Sequence, residues 1–232
     1  MMFFGVADST FILVLIGVVI SLIASSKVRS TFHKYSKVAS RSGLTGAEAA
    51  DRILQREGIY DVNIQHVSGD LTDHYNPIKK TLSLSDATYA SKSVAAIGVA
   101  AHECGHAIQH AKGYAPLKFR STLAPIASFG SSISWFLILA GLFINNSSSQ
   151  LLINAGIIAF SLAVLFQLIT LPVEFNASSR AMAILERDGM LYGEEVRQSR
   201  KVLSAAAWTY VAAAAASILQ LLRLILISRR RR

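Results

Sequence analysis

Apolar positions along the chain fall into four long runs, and the residues between the first two alternate polar with apolar. Residues 3–26 carry one charge, Asp8, and an apolar run from 11 to 24. Two further runs, 123–144 and 151–173, each have about the 20 residues needed to cross a bilayer as a helix. The linker between them, 145–150 (NNSSSQ), is uncharged, as suits a short outer loop, and the pair reads as a transmembrane hairpin. The fourth run, 202–227, is open to two readings. It is long enough to span, yet Arg223 interrupts it, and Leu203, Ala207, Tyr210, Val211, Ala214, Ile218, Leu221, Leu222 and Ile225 recur at helical spacing, which suits a helix packed on the rest or lying at the interface.

Between residues 27 and 122 the pattern is that of a small folded unit. Thr45 followed by Glu48 is a capping box opening a helix that Gly58 can end. Val62, Ile64 and His66 alternate with polar neighbours as a short strand closed by Ser68, Gly69 and Asp70. Asn76-Pro77 marks a turn, residues 81–84 (TLSL) alternate as a second strand, and a helix follows from about residue 93 to 111, closed by Lys112-Gly113. The predicted order is helix, two strands, helix.

Composition sharpens this picture. Of 232 residues, 52% are hydrophobic and 16% charged, with a mean hydropathy of +0.43, whereas a soluble domain carries about 25% charged residues. An ordinary soluble globular protein is excluded, and lipid is the natural place for the surplus. The net charge of +9 is unevenly spread: Lys and Arg are absent from 1–26 and 121–179 and cluster at 27–41 and 229–232. That is a positive-inside pattern, not the basic stripe of a nucleic-acid binder, and no nucleic-acid partner is expected. Basic residues follow the first run rather than precede it, so it reads as an uncleaved anchor with residue 27 onward in the cytoplasm. A single cysteine, Cys104, leaves no intrachain disulfide.

The second helix of the unit holds His102-Glu103-Cys104-Gly105-His106, an H-E-x-x-H pattern. Four residues advance a helix by about 6 Å and about 400°, so both histidines share one face and can reach one Zn2+ ion. Glu103 lies beside that face, placed to act as general base on a zinc-activated water. A third protein ligand is required. His110 is about 12 Å along the helix from His102 and cannot converge with it, so it is a surface or supporting residue. Glu174, where the third apolar run ends, is the better candidate. Cys104 turns away from the metal and joins Val94, Ile97, Ala101 and Ile108 in a buried stripe. Tyr75, Arg180 and Tyr210 could each hydrogen-bond the tetrahedral oxyanion, and the sequence does not choose among them.

The runs 73–77 (DHYNP), 82–85 (LSLS), 93–103 (SVAAIGVAAHE) and 174–178 (EFNAS) resemble the YugP-like family of neutral zinc metallopeptidases of bacterial membranes. The resemblance covers nearly the whole chain. The order of motif, membrane hairpin and glutamate is also similar to HtpX-like and CAAX-prenyl-protease-type membrane peptidases, whose third zinc ligand maps onto Glu174. That group has an aspartate four residues after the glutamate, steadying a zinc histidine; here the position is Ser178, which implies weaker support or support from elsewhere. Asn176 stands where the YugP-like pattern has aspartate.

The expected fold is a mainly α integral membrane protein of three to four transmembrane helices with a small α+β zincin-like catalytic unit at the cytoplasmic face. Its parts are an anchor (1–26), a catalytic unit (27–122), a hairpin (123–173), and a third-ligand helix with an apolar helix and basic tail (174–232). The expected function is a multi-pass zinc endopeptidase of the bacterial cell membrane. It would bind one zinc per chain and cleave membrane-associated or unfolded proteins, the substrate added as a β-strand along 81–84. The expected partners are the lipid bilayer, protein or peptide substrates, and other membrane proteins or further copies of the chain. The alternative is a non-proteolytic, zinc-binding membrane scaffold.

Overall fold

The computed structural model describes residues 9–144 and 148–229; Asp8, linker residues 145–147 and the arginines at 230–232 lie outside them. Six helices and three strands follow in the order α1 (Phe11–Tyr35), α2 (Gly46–Arg56), β1 (Asn63–Val67), β2 (His74–Asn76), β3 (Thr81–Ser85), α3 (Val94–Ala111), α4 (Ala115–Phe143), α5 (Ser148–Arg187) and α6 (Glu194–Arg229). The protein is mainly α-helical and membrane-embedded in type, with one small mixed sheet. Four helices, α1, α4, α5 and α6, are long and apolar enough to cross a bilayer. The fourth apolar run thus belongs to a 36-residue helix that starts well before it, at Glu194.

The contacts divide the chain into two compact units. One comprises Met1–Ala24, Phe119–Leu171 and Thr209–Arg232. Its large apolar side chains mostly face outward, while small residues let backbones close: a Cβ on Gly156 would lie 3.0 Å from the Ser134 carbonyl oxygen, and one on Gly130 would lie 2.9 Å from that of Ala159. This is how helices associate where lipid removes the hydrophobic drive between them. Ile138, Phe160, Val164 and Leu224 form its buried centre, and Gln150 Nε2 donates to Ser228 Oγ at 2.7 Å.

The other unit comprises Ser25–Lys118 and Pro172–Trp208. Here the expected capping box is present: Thr45 Oγ1 accepts the Glu48 amide at 3.1 Å, and Glu48 Oε2 accepts the Thr45 amide at 2.8 Å. Gly58, at φ +73°, ends the turn after α2. The amphipathic α2 lays Ala49, Ala50, Ile53 and Leu54 against α3, and Leu82 and Leu84 of β3 complete the core.

The sheet differs from the sequence expectation in two respects. It has three strands in the order β1-β3-β2, with β1 parallel and β2 antiparallel to β3. The turn at Asn76-Pro77 is therefore the bend of a hairpin whose first arm, β2, is too short to show a period. It also means that β3 has a neighbour on each side, so a substrate cannot be added along residues 81–84. The unpaired edges belong to β1 and β2, and loss of that expected site follows directly from the strand order.

Candidate metal centre

Helix α3 opens at Ser93, whose hydroxyl accepts the Ala96 amide at 3.2 Å, and gives way at Lys112 to Gly113 with φ +62°. Val94, Ile97, Ala101, Cys104 and Ile108 lie fully in the core, as their spacing predicts. The Cys104 thiol, 3.6 Å from the Ala50 carbonyl oxygen, has its pKa pushed well up by burial and behaves as an apolar side chain. Two glycines clear the opposite approach. A Cβ on Gly98 would lie 2.3 Å from Ser199 Oγ of α6, and one on Gly105 would lie 2.6 Å from the Ala177 carbonyl oxygen of α5.

Gly105 sits inside the H-E-x-x-H pattern, so α5 can lie directly on the motif. That contact delivers Glu174. Its Oε2 is 3.3 Å from His102 Nε2 and 3.6 Å from His106 Nε2, and the two imidazoles meet edge to face at 4.8 Å between centroids. The three ligand atoms all fall within 4.8 Å of one another. Tetrahedral zinc with ligands at about 2.0–2.1 Å keeps neighbouring ligand atoms roughly 3.4 Å apart, so the donor set fits that ion and the distances from Glu174 to both histidines match it. Glu174 is 1% exposed. A carboxylate so deeply buried needs positive charge or hydrogen-bond donors against it, and the two histidines face it.

Burial pushes the His106 pKa down, but the neighbouring Glu174 and Glu103 carboxylates outweigh it and leave the ring's pKa above its ordinary value. The pocket therefore attracts positive charge. Glu103 is itself buried on α3, one residue after His102. Ser178, one turn beyond Glu174, meets His102 Nδ1 at 3.1 Å, so a hydroxyl stands against this histidine at the position where the resemblance implies an aspartate. It also lines a cleft of about 400 Å³ with Phe175, Ser179, Met182, Leu203 and Ala207.

The remaining candidates have separate surroundings. The Tyr75 hydroxyl is 2.8 Å from His110 Nδ1, which gives His110 a partner on β2 in place of the metal. Arg180 Nε donates to Asn176 Oδ1 at 2.7 Å, with the guanidinium 5.9 Å from the Tyr114 ring centroid. Tyr210 lies on the part of α6 that belongs to the helical unit. Sequence reasoning passed over Gln109. It is fully buried, and its Oε1 lies 3.0 Å from His106 Nδ1. The available signal was its position three residues after His106, on the same helix face and among alanines.

Residues 10–229 match the profile of a family described as "Putative neutral zinc metallopeptidase". The chain belongs to this family. It is also 50% identical over 208 residues, covering 90% of this chain and 91% of the relative, to the "Putative membrane protease YugP" of Bacillus subtilis (strain 168). No solved structure matches it. Family membership and the His102, His106 and Glu174 cluster agree on a metal, and the four apolar helices agree with a multi-pass membrane protein.

Proposed function

We propose that the protein is a membrane-embedded zinc endopeptidase in which His102 and His106, through Nε2, and Glu174, through Oε2, hold one ion per chain. The observation that carries this reading is the convergence of three buried ligand atoms on one point from two helices. When bound there, zinc supplies Lewis acidity and lowers the pKa of a coordinated water to about 7. Glu103 takes the proton from the attacking water and passes it to the departing amine nitrogen, so that the peptide carbonyl carbon gains an oxygen as its bond to nitrogen breaks. Gln109 and Ser178 hold the far nitrogens of the two histidines. Of the oxyanion candidates, Tyr75 and Arg180 belong to the same compact unit as the cluster, and each carries a donor hydrogen.

Basic residues 27–41 support a cytoplasmic position for the catalytic segment, and Glu174 directly follows the apolar run 151–173, which supports a site near the membrane surface of the bacterial cell. Membrane-associated or unfolded polypeptides are the substrate class this placement favours. An extended segment could pair with the open edge of β2.

The decisive experiment is cleavage of an unfolded reporter by full-length protein in detergent or vesicles at neutral pH. Wild type should cleave and a chelator should stop it, while Glu103→Gln should retain metal and lose at least about 100-fold in rate, as expected for removal of a general base. A Glu103→Gln protein that cleaves normally would sink the mechanism. Zinc bound without any cleavage would favour the scaffold.

A further inference from the structure

The two histidines differ in how their Nδ1 atoms are held. His102 meets the Ser178 hydroxyl, which can rotate to donate or to accept. His106 meets a side-chain amide, whose oxygen and nitrogen have nearly the same shape and must be told apart by their partners. At Gln109 the partners decide. Its Nε2 lies 2.8 Å from the Val173 carbonyl oxygen and 3.0 Å from Asn176 Oδ1. A backbone carbonyl only accepts, so the Gln109 atom facing it is the NH2 group. The Asn176 oxygen is fixed from its far side by Arg180 Nε, which only donates, at 2.7 Å.

Both ends of this chain of bonds therefore turn the Gln109 oxygen toward His106, and His106 must donate from Nδ1. In the neutral ring that leaves the Nε2 lone pair directed at the point where Glu174 Oε2 lies 3.6 Å away. Two acceptors facing each other in a buried pocket are reconciled by a proton or by a metal ion between them, and the Nδ1 bond leaves Nε2 as the atom that receives either.

We infer that Gln109 is a positioning residue, held in one orientation by Val173 and Asn176, that commits His106 to metal binding through Nε2. The inference rests on the metallopeptidase reading of the site. It also gives the amide a second task. Val173 and Asn176 flank Glu174 on α5, so the bonds that orient Gln109 set the register between the two helices that carry the ligands. A slip of α5 along α3 would misplace Glu174 and free the Gln109 amide together.

The polarity of the network supplies the test. Asn176 uses only its oxygen and accepts twice, so aspartate there keeps both bonds. Gln109 uses its nitrogen to donate twice, so glutamate there turns an acceptor toward the Val173 carbonyl. A role in packing alone treats the two changes as equally mild. Full-length protein in detergent would be loaded with zinc or cobalt(II), its metal affinity measured by chelator competition, and the unfolding midpoint of the metal-free protein recorded alongside. Gln109→Leu and Gln109→Glu should weaken binding about 10- to 100-fold, Asn176→Leu should weaken it less, and Asn176→Asp should stay within about twofold of wild type.

Gln109→Glu binding as tightly as wild type would overturn the inference, and so would Asn176→Asp losing as much as Gln109→Glu. If the Gln109 variants fail to fold, the Asn176 pair carries the test: equal affinities for Asn176→Asp and Asn176→Leu would overturn it. Wild-type protein that binds no metal, or binds it equally after His102→Ala, would instead remove the metal site itself and this inference with it.

Discussion

The two compact units invert one another. In the helical unit, Ile12, Leu22, Phe129, Phe136 and Ile158 are exposed, and the buried centre is small, with Ile138, Phe160, Val164 and Leu224 joined by close glycine contacts and a few serine and asparagine bonds. In the unit containing α3, apolar side chains are sealed inside, and Ser83, Ser85, Gln109, Glu174 and Ser199 are buried with them. The lesson is that burial does not track polarity in this molecule. Outward apolar residues match a lipid solvent, whereas inward polar residues need a specific partner, which makes them markers of chemistry.

Paired truncations would break that comparison most directly. Ile97→Ala opens a void in a sealed core and should cost about 2–5 kcal/mol of stability, while Ile158→Ala, at a position 68% exposed, should cost about 1 kcal/mol or less; detergent-phase thermal unfolding reads both. Equal costs would mean that Ile158 is covered by protein rather than by lipid.

A smaller effect tests the contact on which the site depends. Gly105→Ala places a methyl group where the Ala177 carbonyl oxygen already stands, and overpacking of this kind costs about 1–3 kcal/mol. Because the strain falls between the helices that carry His102, His106 and Glu174, the proposed metal site should lose affinity out of proportion to the change in melting temperature. Gly43→Ala, with open space around the added carbon but a φ of +66°, provides a control that strains the backbone and leaves the metal alone.

The smallest effect concerns surface charge. Lys112 holds the Glu57 pKa below its usual value, and Arg187 does the same for Asp188. A depressed carboxyl pKa adds stability that is complete above the unfolded-state values near about 4 and is lost as pH falls through the folded-state values. The cationic partners are more than half exposed, so the total should be about 1 kcal/mol or less. Glu57→Gln should flatten the acid limb of the melting-temperature profile, and an unchanged limb would show that these pairs contribute nothing.

What could be read in advance was local or strongly periodic. The capping box at Thr45 and Glu48, the strand around Ile64 and the face shared by His102 and His106 each depend on neighbours within a few positions. Helix ends were less legible: α5 runs 40 residues, through Pro172 and past the end of its apolar run, because nothing in residues 174–187 stops it. Strand β2 was hidden because three residues carry no period and its partner is set by pairing Tyr75 with Leu82. Gln109 was hidden for a similar reason, since the groups that define it lie 64 and 67 residues further along the chain.

The same separation orders events in time. His102 and Ser178 are 76 residues apart, an interval of about 4 to 15 s at ordinary rates of polypeptide synthesis. On the proposed reading, a nascent chain that has emerged only through α3 offers two histidines, one ligand short of a catalytic zinc site. The enzyme cannot be armed until α5 has been made and docked. On that reading the chain stays inert through most of its own synthesis, and the hairpin that separates His106 from Glu174 acts as a delay.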